Sequence, residues 1–155
     1  VTTDPLVEGF HYYFLVVDGA RVCDPSSVVY YGCSQFSSGI EIPYPKGDNR
    51  FYMQDVAHGK VSQVRFYSTT SGEWRRLFVY PPAGYETSGK SYPVLYIQHG
   101  VGENEMGWTW QGRLNLIADN LIDTVSYKVT DMLGLSVGDI QVFVEGIRTD
   151  RGDEE

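Results

Sequence analysis

The chain has 155 residues, of which 42% are hydrophobic and 21% are charged, a composition typical of a globular protein. Its 12 Lys and Arg residues are outnumbered by 20 Asp and Glu residues, which gives a formal net charge of -8. This acidic balance argues against nucleic acid and against an anionic membrane surface as partners, because both need basic residues to neutralise them. Neutral polymers such as polysaccharides are compatible with it.

The hydropathy and the two cysteines further narrow the class of protein to which the chain can belong. No apolar run approaches the roughly 20 residues that a membrane helix needs. The sequence opens on Val1 without a signal-peptide pattern, so we expect a mature chain or a fragment. Cys23 and Cys33 allow either a disulfide or two free thiols. There is no C-x-x-C motif and no His/Cys cluster, so the sequence predicts neither a metal site nor a cofactor.

A β-hairpin is predicted near the start of the chain. Aromatic and β-branched residues run from residue 10 to residue 17, and a second short run follows Asp18-Gly19. Asp-Gly between two such runs is typical of a type I′ turn, and Asp24-Pro25 then ends the second strand. A lone hairpin is marginal in water, so we expect its partner strands to lie before Val1.

These residues resemble the end of a family 48 carbohydrate-binding module. The matching letters are YFLVVDG at residues 13–19 and DP at residues 24–25. The resemblance implies an immunoglobulin-like β-sandwich that binds starch-like glucans or, in some esterases, xylan. On this basis residues 1–42 are expected to be the carboxyl-terminal part of such a sandwich.

Residues 26–58 are predicted to be irregular, because Ser, Gly and Pro recur throughout them. Two prolines within residues 43–49 (PYPKGDN) exclude a helix or a central strand there, so residues 43–58 are interpreted as a linker. His58 precedes a glycine in what is interpreted as a turn. A catalytic base needs a nucleophile close by, and none is visible, so His58 is not assigned to catalysis.

Residues 60–81 are predicted to form a second hairpin, with strands over residues 61–67 and 73–80 and a stop at Pro81-Pro82. Residues 92–99 (YPVLYIQH) then form a continuous apolar run, which is typical of a strand buried on both faces. The run ends in Gly100 and Gly102, whose small size lets backbone amides face outward. A ligand site is expected there, at the carboxyl edge of an open α/β sheet.

An amphipathic helix is predicted over residues 112–122. Its apolar positions have helical spacing, and the opposite face is polar. The apolar residues are Leu114, Ile117, Ala118, Leu121 and Ile122, and the polar ones are Arg113, Asn115, Asp119 and Asn120. Strand, glycine turn and helix in this order indicate the start of a βαβ unit.

Residues 59–122 resemble the amino-terminal part of the catalytic domain of feruloyl and acetylxylan esterases of carbohydrate esterase family 1. The matching blocks are WRRLFVYPPAGY at 74–85, YPVLYIQHG at 92–100, GENE at 102–105, GW at 107–108, QG at 111–112 and NLI at 120–122. The resemblance implies an α/β-hydrolase fold, a serine nucleophile and an ester on xylan side chains as substrate. The fold class expected is therefore an α/β-hydrolase-type sheet in residues 59–155, preceded by part of an immunoglobulin-like β-sandwich, in a secreted or periplasmic protein.

An oxyanion hole is expected at the glycine turn, which we define as residues 100–103. One donor would be the backbone amide of Val101 or Gly102, while the His99 side chain is expected to brace the turn. The nucleophile of such enzymes lies in G-x-S-x-G, and residues 134–138 (GLSVG) match it. Ser136 is therefore the candidate nucleophile, and the amide of Val137 is a second candidate oxyanion donor.

The region around Ser136 leaves two interpretations open. Ser136 follows His99 by 37 positions, which is short for the strand and helix that the fold normally places between them. Either a deletion has brought the nucleophile turn close, or the family sequence ends near Ile122 and residues 123–155 do not belong to it. No His follows His99, so a complete catalytic triad is not expected in this chain.

Two other functions are compatible with the sequence. One is a non-catalytic carbohydrate-binding fragment, in which exposed aromatic rings stack on sugars. The candidate rings are Tyr12, Tyr30, Tyr31, Trp108 and Trp110, of which Trp108 and Trp110 are also the expected substrate-binding residues of the esterase. The other is a glycosidase with Glu103 and Glu105 as its carboxylate pair. A feruloyl and an acetyl ester are not distinguished by the sequence.

Overall fold

A computed structural model describes residues 4–127. Within them, seven strands form three small antiparallel sheets, and three helices follow. The strands are β1 Gly9–Tyr13, β2 Leu15–Val17, β3 Ala20–Val22, β4 Val29–Gly32, β5 Gln35–Ile42, β6 Ser62–Ser68 and β7 Glu73–Val79. The helices are α1 Tyr85–Ser88, α2 Gly107–Trp110 and α3 Leu114–Tyr127.

Strands β1, β5 and β4 form a three-stranded sheet in the order β1-β5-β4, which we call the aromatic sheet. The prediction of irregular structure was wrong for residues 29–42, because this sheet is not built on alternating apolar side chains. Its central strand carries Ser37 and Ser38, both fully buried, and then Gly39. A methyl group at Gly39 would meet the rings of Phe10 and Tyr30, so small residues make room for aromatic ones.

The two predicted hairpins are confirmed. β2 pairs with β3 through Asp18 and Gly19, whose φ angles of 50° and 82° are those of a type I′ turn. β6 pairs with β7 over seven residues on each strand. The first predicted strand is divided, however, because the chain leaves the aromatic sheet at Phe14 and begins a separate hairpin at Leu15.

Residues 92–97, which we call the apolar segment, form no strand in the structure, contrary to the prediction. Val94, Leu95 and Tyr96 are 68%, 70% and 89% exposed. A strand needs a neighbour for its backbone N–H and C=O groups. β6 and β7 pair only with each other within residues 4–127, so nothing in this part of the chain completes a sheet around the segment.

The predicted helix is confirmed as α3, but its polar face does not lie in solvent. Asp119 is only 4% exposed. The Asn120 amide donates to the carbonyl oxygens of Arg50 and Tyr52, at 3.1 Å and 2.9 Å. Leu121, on the apolar side, is 42% exposed. The polar face of α3 therefore packs against the chain segment that precedes the second hairpin.

That segment, the linker of residues 43–58, is held along its length. The Arg113 guanidinium at the start of α3 pairs with the Glu41 carboxylate and donates to the carbonyl oxygen of Phe51 at 3.1 Å. The rings of Tyr44 and Phe51 stack with their centres 4.4 Å apart.

Within the described residues both cysteines are free thiols, and no hydrophobic side chain is fully buried. The sheets, the linker and α3 are therefore held together by hydrogen bonds, ion pairs and contacts between aromatic rings.

Candidate functional site

The glycine turn is a β-turn closed by a hydrogen bond from the Glu103 amide to the Gly100 carbonyl oxygen, at 3.2 Å. Gly102 has a φ of +83°, the left-handed conformation that the third position of a type II turn requires. The Val101 side chain is fully exposed. Among residues 4–127, no hydrogen bond uses the amide of Val101 or of Gly102 as a donor. Among the described residues the turn therefore has two adjacent amides without an acceptor, which is the condition that the predicted oxyanion site has to meet.

His99 lies directly before this turn and braces it. Its Nδ1 is 2.9 Å from the carbonyl oxygen of Gly100. A carbonyl can only accept, so Nδ1 carries a proton and donates it to this bond. The expectation that His99 supports the turn is therefore met by a direct contact.

The aromatic sheet contacts the glycine turn from the other side. The Ser34 amide, in the tight turn between β4 and β5, donates to the Gly102 carbonyl oxygen at 2.8 Å. The Tyr12 hydroxyl donates to the Glu103 carboxylate, with distances of 3.1 Å and 3.3 Å to its two oxygens. The Gln111 amide donates to the same hydroxyl at 2.9 Å and to the Tyr31 carbonyl oxygen at 3.1 Å. Burial and the nearby Glu103 charge raise the pKa of Tyr12, so the phenol stays protonated and can donate.

The two predicted substrate-binding tryptophans lie on α2, two residues apart, and point in different directions. Trp108 is 44% exposed and donates from its indole N–H to the Gln98 carbonyl oxygen at 3.0 Å. Trp110 is 47% exposed and packs edge to face on Tyr30, with ring centres 6.3 Å apart. The structure therefore places them beside the turn but does not join them into one stacking surface.

The three candidate sugar-stacking tyrosines, Tyr12, Tyr30 and Tyr31, pack against other aromatic rings of the protein. Phe10 contacts Tyr12 and Tyr30 edge to face, with ring centres 5.0 Å and 4.8 Å apart. Tyr31 contacts Phe36 in the same way. The acidic pair is also engaged, since Glu103 accepts from Tyr12 and Glu105 forms an ion pair with Arg76 at 2.8 Å. These contacts give each group a structural partner.

A second polar cluster, which sequence reasoning missed, surrounds the carboxylate of Asp119. One oxygen accepts from His58 Nδ1 at 2.9 Å; the other accepts from the Gly59 amide at 2.9 Å and from the Tyr80 hydroxyl. Burial raises the pKa of Tyr80, and the adjacent Asp119 raises it further. The sequence placed Asp119 on the polar face of a predicted helix, but it contained no signal that His58, Gly59 and Tyr80 would be its partners.

His58 in this cluster is not arranged as a general base. Its second nitrogen, Nε2, lies 3.0 Å from the carbonyl oxygen of Gln54, so both ring nitrogens face acceptors. Two acceptors favour the doubly protonated ring, and the hydrogen bond to Asp119 raises the pKa of His58. The cluster joins the linker, the end of β7 and α3, and leaves no ring nitrogen to take a proton from a substrate.

Two open grooves occur in the described part of the chain, with volumes of about 450 Å³ and 360 Å³. One lies along the linker between Glu41 and Tyr52, and the other lies beside α1 between His58 and Thr87. Neither is lined by the glycine turn. Within residues 4–127 no three metal-ligating side chains come together, and no helix is long and apolar enough to cross a membrane. Ser136 and Val137 lie outside the described residues.

Comparison with known proteins shows a similarity to an enzyme named for xylan degradation. No family model matches the chain. A protein of Xylanibacter ruminicola named endo-1,4-beta-xylanase/feruloyl esterase is 46% identical over 125 residues, which cover 78% of this chain. The same match covers 17% of that relative, so this chain spans about a sixth of its length.

Proposed function

We propose that this chain is part of a serine carboxylic ester hydrolase that acts on feruloyl or acetyl esters of xylan. The observation that carries the proposal is the 46% identity to a protein named endo-1,4-beta-xylanase/feruloyl esterase. We extend the proposal to the fold, an α/β-hydrolase-type sheet preceded by part of an immunoglobulin-like sandwich, and to a location outside the cytoplasm, where xylan is found.

Of the two activities in that name, the site geometry favours the esterase. A glycosidase needs two carboxyl groups facing one substrate bond. Glu103 and Glu105 instead face Tyr12 and Arg76. Ester hydrolysis needs amides that can receive a developing oxyanion, and the amides of Val101 and Gly102 have no acceptor among the described residues.

The proposed reaction begins when the Ser136 hydroxyl oxygen bonds to the ester carbonyl carbon. The carbonyl oxygen takes the negative charge and accepts hydrogen bonds from the glycine turn and from the Val137 amide. The tetrahedral intermediate then expels the xylan alcohol, which leaves with the proton that the Ser136 hydroxyl gave up. Water next breaks the bond between the serine and the acyl group, adds its hydroxyl to the acyl group as the free acid and returns a proton to the serine. His58 is not assigned as the base, because both of its nitrogens are engaged by acceptors.

A hybrid protein tests this proposal. The matched segment of the Xylanibacter protein is replaced by the corresponding segment of this chain, and hydrolysis of methyl ferulate and of acetylated xylan is measured. We expect hydrolysis of at least one ester. Cleavage of the xylan backbone shows that the unexchanged part of the hybrid is active, since the relative is named for both activities. A thermal unfolding midpoint equal to that of the relative is the control for folding of the exchanged segment. A hybrid that cleaves the backbone and hydrolyses neither ester contradicts the proposal.

The alternative, a carbohydrate-binding fragment without catalysis, is an outcome of a second measurement. Trp108 and Trp110 remain nearly half exposed, which is the observation in its favour. Retardation of the 155-residue chain in a xylan gel, lost on Trp108→Ala, together with an inactive hybrid, would select this alternative. Unchanged mobility on xylan would exclude it.

A further inference from the structure

The contact between the aromatic sheet and the glycine turn is made by the hairpin turn between β4 and β5. The turn between β4 and β5 consists of Cys33 and Ser34, with φ angles of 52° and 63°. A two-residue hairpin turn of type I′ requires this left-handed backbone at both positions. This conformation places the Ser34 amide 2.8 Å from the carbonyl oxygen of Gly102.

The fit at this point is close on both sides. A methyl group added at Gly102 would lie 3.0 Å from both the amide nitrogen and the hydroxyl oxygen of Ser34. Both the missing side chain and the φ of +83° therefore require glycine here. The carbonyl that accepts from Ser34 follows the candidate oxyanion amides directly, so a shift of Ser34 would move them.

A second set of contacts fixes the other end of the turn. The Tyr12 hydroxyl is held between the Gln111 amide, which donates to it, and the Glu103 carboxylate, which accepts from it. Gln111 also reaches the Tyr31 carbonyl on β4. Tyr12 of β1 thus contacts Glu103 directly, and Gln111 links Tyr12 to β4. Glu103 closes the turn through its own amide.

We propose that the aromatic sheet positions the oxyanion amides of Val101 and Gly102, with Ser34, Tyr12 and Gln111 as positioning residues. This inference rests on the proposed esterase function. It means that the region resembling a carbohydrate-binding module completes the catalytic site, in addition to any binding of polysaccharide. A displacement of these amides would lower the rate of the chemical step and leave substrate binding largely unchanged, because the oxyanion forms only in the transition state.

The experiment uses Tyr12→Phe, which removes one hydroxyl and keeps the ring on Phe10. Tyr13→Phe is the matched control, because the neighbouring Tyr13 hydroxyl donates to Asp24 at 2.8 Å, away from the turn. In the 155-residue chain, we expect Tyr12→Phe to shift the amide NMR signals of Val101 and Gly102 and to speed hydrogen exchange at the Ser34 amide about tenfold. Tyr13→Phe should do neither. Equal responses in the two variants, or no response in Tyr12→Phe, would overturn the proposal.

Kinetics in the hybrid protein separate this inference from the proposed function. We expect Tyr12→Phe to lower kcat for methyl ferulate about tenfold with KM within about twofold of the unmodified hybrid, and Tyr13→Phe to leave both unchanged. An active hybrid whose kcat does not respond to Tyr12→Phe overturns the positioning role alone. A hybrid inactive toward both esters that still cleaves the xylan backbone overturns the esterase function, and the catalytic role of the sheet with it.

Discussion

Strand β1 and the apolar segment have similar sequences and opposite outcomes. Gly9–Tyr13 reads GFHYY, and residues 92–97 read YPVLYI, so aromatic and β-branched residues predict a strand for both. β1 pairs with β5 over five residues, from Gly9 opposite Ile42 to Tyr13 opposite Ser38. The apolar segment has no paired neighbour among residues 4–127 and is exposed. A strand sequence therefore becomes a strand only where a partner accepts its hydrogen bonds.

Truncating one ring in each stretch tests this comparison most strongly. Phe10→Ala removes edge-to-face contacts with Tyr12 and Tyr30, and we expect it to lower the free energy of unfolding by about 3 kcal/mol. Tyr96→Ala, at a position 89% exposed, should change it by less than about 0.5 kcal/mol. Urea denaturation followed by tryptophan fluorescence measures both. Similar losses would show that the apolar segment is packed as firmly as β1.

The same contrast explains which parts of the molecule were predictable from sequence. Asp18-Gly19 and the helical spacing of α3 are local signals, and the structure confirms the elements they predict. β5 was missed because Ser37 and Ser38 are buried by rings that are distant in sequence. Of the candidate site, the glycine turn was predictable as a local pattern. Its contacts with Ser34 and Tyr12, about 70 and 90 residues earlier, were not, because no sequence period links them.

We expect hydrogen bonds on the polar face of α3, more than packing of its partly exposed apolar face, to hold the helix beside the second hairpin. Asp119→Ala leaves Tyr80, His58 and the Gly59 amide without their acceptor, so we expect a loss of about 2 kcal/mol in the free energy of unfolding. Asp123→Ala, at an exposed position one turn later, is the control and should cost less than about 0.5 kcal/mol. If both substitutions cost the same, the Asp119 cluster does not anchor the helix.

The glycine turn connects the two regions compared above, because it follows the apolar segment in the chain and contacts the aromatic sheet that contains β1. Gly102→Ala brings a methyl group to 3.0 Å from Ser34 in a backbone with a φ of +83°. Gly84→Ala has a similar φ of +77° but meets no atom within 4 Å. We expect both to destabilise through backbone strain, with Gly102→Ala costing about 1 kcal/mol more. Thermal unfolding of the two variants measures the difference, and equal midpoints would exclude a tight contact with Ser34.

The smallest expected effect is a pH dependence at His58. Its hydrogen bonds to Asp119 and to Gln54 raise the pKa of His58 above the ordinary value of 6.5, with the charge of Asp55 adding to the shift. A group whose pKa is raised by folding stabilises the folded state fully below its unfolded pKa, and this contribution is lost as the pH rises through the folded pKa. The wild type should therefore exceed His58→Gln in stability most clearly near about pH 5.5, and the difference should shrink toward about pH 8.5.

That difference is measured as the urea midpoint of each protein across the pH range. His11→Gln is the matched control, because among residues 4–127 the hydrogen bond of the His11 ring is to the Val7 carbonyl oxygen, at 2.7 Å, and not to a carboxylate. Subtracting the His11→Gln curve removes the titration of groups common to both variants. A difference between wild type and His58→Gln that stays constant with pH would mean that the folded contacts leave the His58 proton no more tightly held than in the unfolded chain. The Asp119 cluster would then stabilise the fold through contacts that do not depend on the protonation of His58.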